Sequence, residues 1–337
     1  LTNATGLPLT TGVTGTLPVD GGGSGRVSHT AYAVLCGGTT STAAQESVAS
    51  VGTAGQVLTS GGAGALPTFQ FQVAGAAPHC GRLAYSSTTA LTFTPYNGAR
   101  IRIEGEDYNI PSGGIAGLAN TSIFLDGTGS SNLAADTTYY VYAFVNSGTV
   151  TADYSTTAYT SDTTAGNVGV MIKTAVASRT LIGMCRTSSS SQFADSVTQR
   201  FVLSWFNKLQ MPMKNHFTAT RSTTSTSYVE VNSEIQLKFI TWSNIMVTLS
   251  ISGAGYVTTG GSMWTSIGVD STTTAQDTWT FMSGTNSQAQ ACTHFGTYSE
   301  GYHYATLLGK VSVNTANWYV PSNAAGERLT LNATIWG

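Results

Sequence analysis

Charge is scarce in this chain. Lys and Arg contribute 14 of its 337 residues and Asp and Glu 16, so 9% are charged and the formal net charge is −2. An ordinary soluble protein carries about 25% charged residues. A nucleic-acid partner is not expected, because neutralising phosphates takes a surplus of Lys and Arg. Long surface helices are not expected either, since their exposed faces normally carry Glu, Lys and Arg in i,i+4 pairs. No apolar run approaches the roughly 18–20 residues of a membrane span, so membrane insertion is not expected. Cysteine is equally thin: Cys36, Cys80, Cys185 and Cys292 lie far apart without a CxxC. That spacing argues against a zinc knuckle or a disulfide scaffold and for small buried hydrophobes folded in a reducing cytoplasm. No signal peptide is visible, and the numbering starts at Leu1, as expected of a fragment or a processed product.

What replaces charge is Gly, Ser, Thr and Asn. Hydrophobic residues make up 41%, an ordinary share, and there are 38 glycines. Normal hydrophobicity with little net charge predicts packed domains and not disorder. The expected fold class is all-β with a neutral, hydroxyl-rich surface, which suits permanent oligomerisation. Length alone points to roughly two or three domains.

Four regions follow along the chain. Residues 1–78 hold short apolar runs punctuated by glycine, with Leu7-Pro8, Leu17-Pro18 and Leu66-Pro67 recurring. Strands this short cannot bury an apolar face alone, and proline confines them to edges or turns. The segment is either a linker or a fibrous β-shaft in which three copies complete one another, and the regular return of Val, Leu and Pro favours the shaft. Residues 79–193 read as a middle β-domain. Ala99–Ile110 forms a hairpin turning at Gly105, Thr137–Tyr154 a second turning at Asn146-Ser147-Gly148, and Val168–Thr174 and Leu181–Cys185 supply further strands. Residues 194–213 read as a short helix. Ser196 and Gln199 form a capping-box pattern, and Val197, Phe201, Trp205 and Leu209 recur every four residues. It is expected to pack on its own domain or to form a three-chain neck. Residues 214–337 read as a jelly-roll-like β-sandwich of about eight strands, with turn clusters such as Ser252–Gly255 between them.

Catalytic patterns are largely missing. No G-x-S-x-G is present, and the glycine clusters carry no Gly-Lys-Ser/Thr of a phosphate loop. Glycan hydrolysis needs two carboxylates about 5–10 Å apart. Eight of the 16 acids are weighed for this role: Glu104, Glu106 and Asp107 at a hairpin turn, Glu230 and Glu234, Asp270 and Asp277, and Glu300. No enzymatic activity and no cofactor are expected. The five histidines show no H-x-H or HExxH, so no metal is assigned, although an axial histidine tripled by threefold symmetry could ligate one. The segment Thr293–Ala305, read as a loop, gathers Phe295, Tyr298, Tyr302 and Tyr304 around Glu300, with Trp264 and Trp279 as neighbours. Such rings either fill the core or a subunit interface, or bind sugars and mixed protein surfaces. Trp264, Tyr298, Tyr302 and His303 are the candidate receptor-contact residues.

Gly6–Gly25 (GLPLTTGVTGTLPVDGGGSG) and Thr30–Gln70 resemble the repeat of tailed-bacteriophage tail-fibre and related fibre proteins, with Asp20–Gly25 where the usual turn is close to N-G-G-T-G. Leu91–Ile103, Leu133–Phe144 and Asp195–Leu209 resemble a module that follows such repeats, so the likeness spans about residues 6–210. It implies an elongated homotrimer in the virion, attached at its N-terminal side to other virion proteins, whose distal domain contacts a host cell-surface glycan or outer-membrane protein. It brings no catalytic residues. Residues 214–337 match none of its motifs, as a variable receptor-binding domain would. The same repeat also fits a fibre or decoration protein on the capsid, and a fibre-borne polysaccharide depolymerase is the enzymatic alternative.

Overall fold

The structure, a computed structural model, describes residues 15–71, 80–319 and 328–337. Among them strand dominates, and the only helical turns are two short 3-10 segments, Val19–Gly21 and Ser233–Ile235. The all-β class expected from the composition is what the chain adopts. The chain divides into two compact units, Leu1–Ala76 and Ala77–Gly337.

The first unit consists of short hairpins. Leu35–Cys36 pairs with Glu46–Ser47, and Gln56–Thr59 pairs antiparallel with Thr68–Phe71. Two- and four-residue strands hide little surface. Val48 is the one buried residue among those described here, while Val27, Tyr32, Leu35, Val51, Val57 and Leu58 are all exposed. The first Leu-Pro pair, Leu7-Pro8, lies outside the described residues.

The second unit opens on the hairpins Arg82–Ser87 with Ala90–Thr94 and Arg100–Ile103 with Glu106–Asn109. The latter turns at Glu104 (φ 53°) and Gly105 (φ 85°), the double left-handed pair of a two-residue hairpin loop. An eight-stranded sheet follows, centred on Thr138–Asn146 between Thr149–Ser155 and Val176–Arg186. Ser147 (φ 49°) and Gly148 (φ 83°) make its central turn. The run Tyr139–Phe144 is apolar or aromatic on both faces because both faces are covered, with Val141, Tyr142 and Ala143 fully buried.

Two further sheets share one core. A seven-stranded sheet runs Asp195–Ser196, Gln199–Arg200, Leu237–Thr241, Gly301–Val311, Ser262–Val269 and Trp279–Ser283, with Val229–Glu230 also paired to Gly301–Val311. A six-stranded sheet runs Gln210–His216, Thr330–Trp336, Met246–Val257, Ala316–Tyr319 and Arg221–Thr223, with Gln288–Thr297 also on Met246–Val257. Phe239, Ile267 and Leu307 of one face Leu249, Trp318 and Leu331 of the other. Tyr142, Leu181 and Met184 of the eight-stranded sheet join the same cluster.

The helix expected over Ser196–Gln210 does not form. Asp195–Ser196 and Gln199–Arg200 make a tight hairpin in which Ser196 Oγ accepts from the Thr198 N–H, so the capping-box residues close a turn. Val202–Ser204 then pairs with Val176–Arg186, and Gln210–His216 with Thr330–Trp336. The segment thereby joins all three sheets. The four-residue period is overridden by Phe201, Val202 and Leu203, consecutive residues buried on both faces of a strand, which no surface helix can bury at once.

Candidate functional site

The four residues singled out from the sequence are not gathered in one place. Tyr298, Tyr302 and His303 lie near one end of the strand Gly301–Val311, while Trp264 is the cross-strand neighbour of Lys310 at the other. Eight residues of strand separate Tyr302 from Lys310, about 26 Å. The segment Thr293–Ala305 is a loop only over Tyr298–Glu300, because Gln288–Thr297 and Gly301–Val311 are strands of different sheets and the chain crosses the sandwich between them.

At the first end the aromatic groups are engaged. His303 is 4% exposed, with Nδ1 2.5 Å from Asp270 Oδ2 and Nε2 2.8 Å from the Ser299 carbonyl. Tyr298 packs against the core with its hydroxyl buried and unpartnered, and burial pushes its phenol up to about 12. Tyr302 lies under the Arg186 guanidinium, 4.3 Å from its ring centroid, and against Phe201. Glu300 accepts from the Tyr140 hydroxyl at 2.5 Å and from the Tyr159 hydroxyl at 2.8 Å. Burial, then this carboxylate, raises both phenols well above their ordinary range. Beside them Lys208 Nζ lies over Trp205 and Trp242, at 4.2 and 5.2 Å, and burial lowers its ammonium. This cluster joins the eight-stranded sheet to the sandwich.

The other end is open. On the outer face of the seven-stranded sheet, Phe281, Trp264 and Lys310 sit opposite one another on adjacent strands. Trp264 and Phe281 have ring centroids 5.2 Å apart. Lys310 Nζ lies between two rings, 5.0 Å from Trp264 and 4.6 Å from Tyr228. Trp279, two residues before Phe281 on the strand and hence on the same face, is 60% exposed and Phe281 49%. Inward-pointing Met263, Met282 and Val311 alternate with these and are buried, so the apolar character of the outer row is not a requirement of the core.

The sequence reading named Trp264 and Trp279 but passed over Tyr228, Phe281 and Lys310. They stand far apart along the chain, and only strand register brings them into one row. The available signal was alternation: Trp279 and Phe281 flank a polar Thr280 in a short strand.

Of the carboxylates weighed for hydrolysis, Glu230 and Glu234 are tied down. Glu230 Oε1 accepts from Gln236 Nε2 at 2.7 Å and Thr306 Oγ1 at 2.6 Å, and Glu234 is bound by Arg221 through both oxygens. A cavity of about 200 Å³ between Arg82–Tyr85, Val202, Leu209, Met211 and Gly337 is also lined by Asp195. Burial outweighs the 3.1 Å contact with Arg200 and pushes the Asp195 carboxyl up to about 6. Among the described residues no group of three or more His, Cys, Asp or Glu is placed to hold a metal, and no helix is long and apolar enough to cross a membrane. No protein-family model matches the chain, and no curated protein matches it.

Proposed function

We propose that this protein is a bacteriophage fibre: an elongated homotrimer, held at its N-terminal side by other virion proteins of tail or capsid, that recognises the host cell surface through its C-terminal domain. In this reading residues 1–78 form the shaft, and residues 214–337, whose two sheets also take in Asp195–Ser196, Gln199–Arg200 and Gln210–His216, form a jelly-roll-like receptor-binding sandwich. It is a binding role, without catalysis. The observation that carries it is the burial in the first unit. Val48 alone is buried there among the described residues, while Tyr32 is 98% exposed and Val27 88%. Two- and four-residue strands with their apolar side chains uncovered need further strands to pack on. Copies of the same segment around a common axis supply them, and a surface short of charge allows that close approach.

Light scattering of the intact chain tests the assembly. A mass of three chains is expected, and a monomer overturns the proposal. Antibody labelling of intact virions then tests the location, with label expected on tail or capsid. Label on neither overturns it.

A further inference from the structure

We infer that the row Phe281–Trp264–Lys310–Tyr228, with Trp279 beside it, binds an acidic sugar, a saccharide unit bearing a carboxylate or a phosphate. The inference rests on the receptor-binding reading above for its biological role and on the row itself for its chemistry.

Three features combine. The first is a set of flat apolar faces turned to solvent. Trp279 and Phe281 are among the most exposed large side chains of the sandwich, and aromatic faces of this kind accept the C–H faces of sugar rings. The second is size. Phe281, Trp264 and Lys310 lie on three neighbouring strands and Tyr228 directly precedes a fourth, Val229–Glu230, so the row spans about 14 Å at the spacing of a sheet, which suits a short oligosaccharide. Ser262 and Ser283, a cross-strand pair next to Trp264 and Phe281, border it with hydroxyls.

The third feature selects the charge. In a chain with 14 cations, most of the arginines are paired: Arg102 with Asp107, Arg179 with Asp153, Arg186 with Asp136, Arg200 with Asp195 and Arg221 with Glu234. Lys310 forms no ion pair among the described residues, and rings flank its ammonium on two sides. The rings hold the lysine in place by cation–π attraction, yet they leave its N–H donors free of any carboxylate. An acid on the bound sugar is the group that completes it, as a charge-assisted hydrogen bond. A neutral glycan would use the rings and leave the ammonium unanswered.

The test uses the full-length protein on a panel of immobilised oligosaccharides bearing uronate, sialate or phosphate groups, each beside a neutral counterpart. Acid-bearing members should be retained, with binding that weakens as salt rises. Lys310→Gln should lose about tenfold or more in affinity, Lys310→Arg should keep it, and Phe281→Ala should weaken it without moving the melting temperature by more than a few degrees. The inference is overturned if the wild type retains no acidic member, if it favours the neutral counterparts, or if Lys310→Gln binds as well as the parent. It is also overturned if Phe281→Ala or Trp279→Ala changes the assembled mass in light scattering, because the row is then an interface between copies. Competition with phage adsorption separates the two readings. A trimer that blocks adsorption but binds no acidic sugar sinks this inference and leaves the fibre standing. A chain that binds acidic sugars through Lys310 but is monomeric and absent from virions sinks the fibre alone.

Discussion

Trp318 donates its indole N–H to Thr265 Oγ1 at 2.8 Å, from one sheet of the sandwich to the other. Thr265 in turn donates to Gln290 Oε1 at 2.9 Å, and all three side chains are fully buried. Room for the indole comes from Gly309, where a β-carbon would lie 2.0 Å from Trp318 Cη2. Thr265→Val keeps the shape but strands the indole N–H and the Gln290 oxygen, at about 1–3 kcal/mol. Gly309→Ala forces an overlap in a close-packed core, at about 1–3 kcal/mol or more. Urea unfolding of both variants measures this. The double mutant should lose less than the sum, because each change disturbs the same ring.

Glu300 fastens the eight-stranded sheet to the sandwich through Tyr140 and Tyr159. Glu300→Gln leaves one accepting oxygen for two phenols and is expected to cost about 1–3 kcal/mol. The more specific reading is spectroscopic. Burial and the Glu300 charge both hold these phenols above their ordinary range. An ultraviolet titration of folded protein should therefore show two more tyrosines ionising at lower pH in Glu300→Gln than in the parent. Identical titration curves would remove Glu300 as a cause.

Asp195 gives a pH dependence with a definite sign. Its carboxyl sits at about 6 in the folded chain, against about 3.9 when unfolded. The folded state therefore holds the extra proton between those values. The associated stability is fully present below about pH 4 and is lost as pH rises through about 6. The shift corresponds to about 3 kcal/mol. Asp195→Asn removes this titration. The parent-minus-variant difference in unfolding free energy should fall by that order from pH 4 to pH 6.5, and a flat difference would refute the assignment.

What the sequence disclosed follows the range of the interactions involved. The turns Glu104-Gly105 and Ser147-Gly148 are local, since two adjacent residues suffice to take up left-handed backbone, and both hairpins were placed correctly. The strand Gln288–Thr297 escaped notice because its inward side carries Gln290, Cys292 and His294, which do not read as an apolar stripe. The aromatic row was half legible: Trp264 stands out alone, but Lys310 and Tyr228 reach it through pairings across tens of residues, and no local pattern encodes that register.

The segment whose four-residue period predicts a helix carries a further test of the fold. Between Asp195 and His216 the chain contributes strands to three sheets in turn, and Leu203 sits fully buried at the middle contribution. In a short surface helix, Leu203→Ala would be mild, because alanine is the best helix former and the lost area is small. In a strand enclosed on both faces the same change opens a cavity and should cost about 2–5 kcal/mol. Because the segment ties all three sheets together, the loss should appear as a lower midpoint of one cooperative transition, with tryptophan fluorescence and far-ultraviolet dichroism moving together. Two separated transitions, or a change below about 1 kcal/mol, would show that the stitch does not couple the sheets.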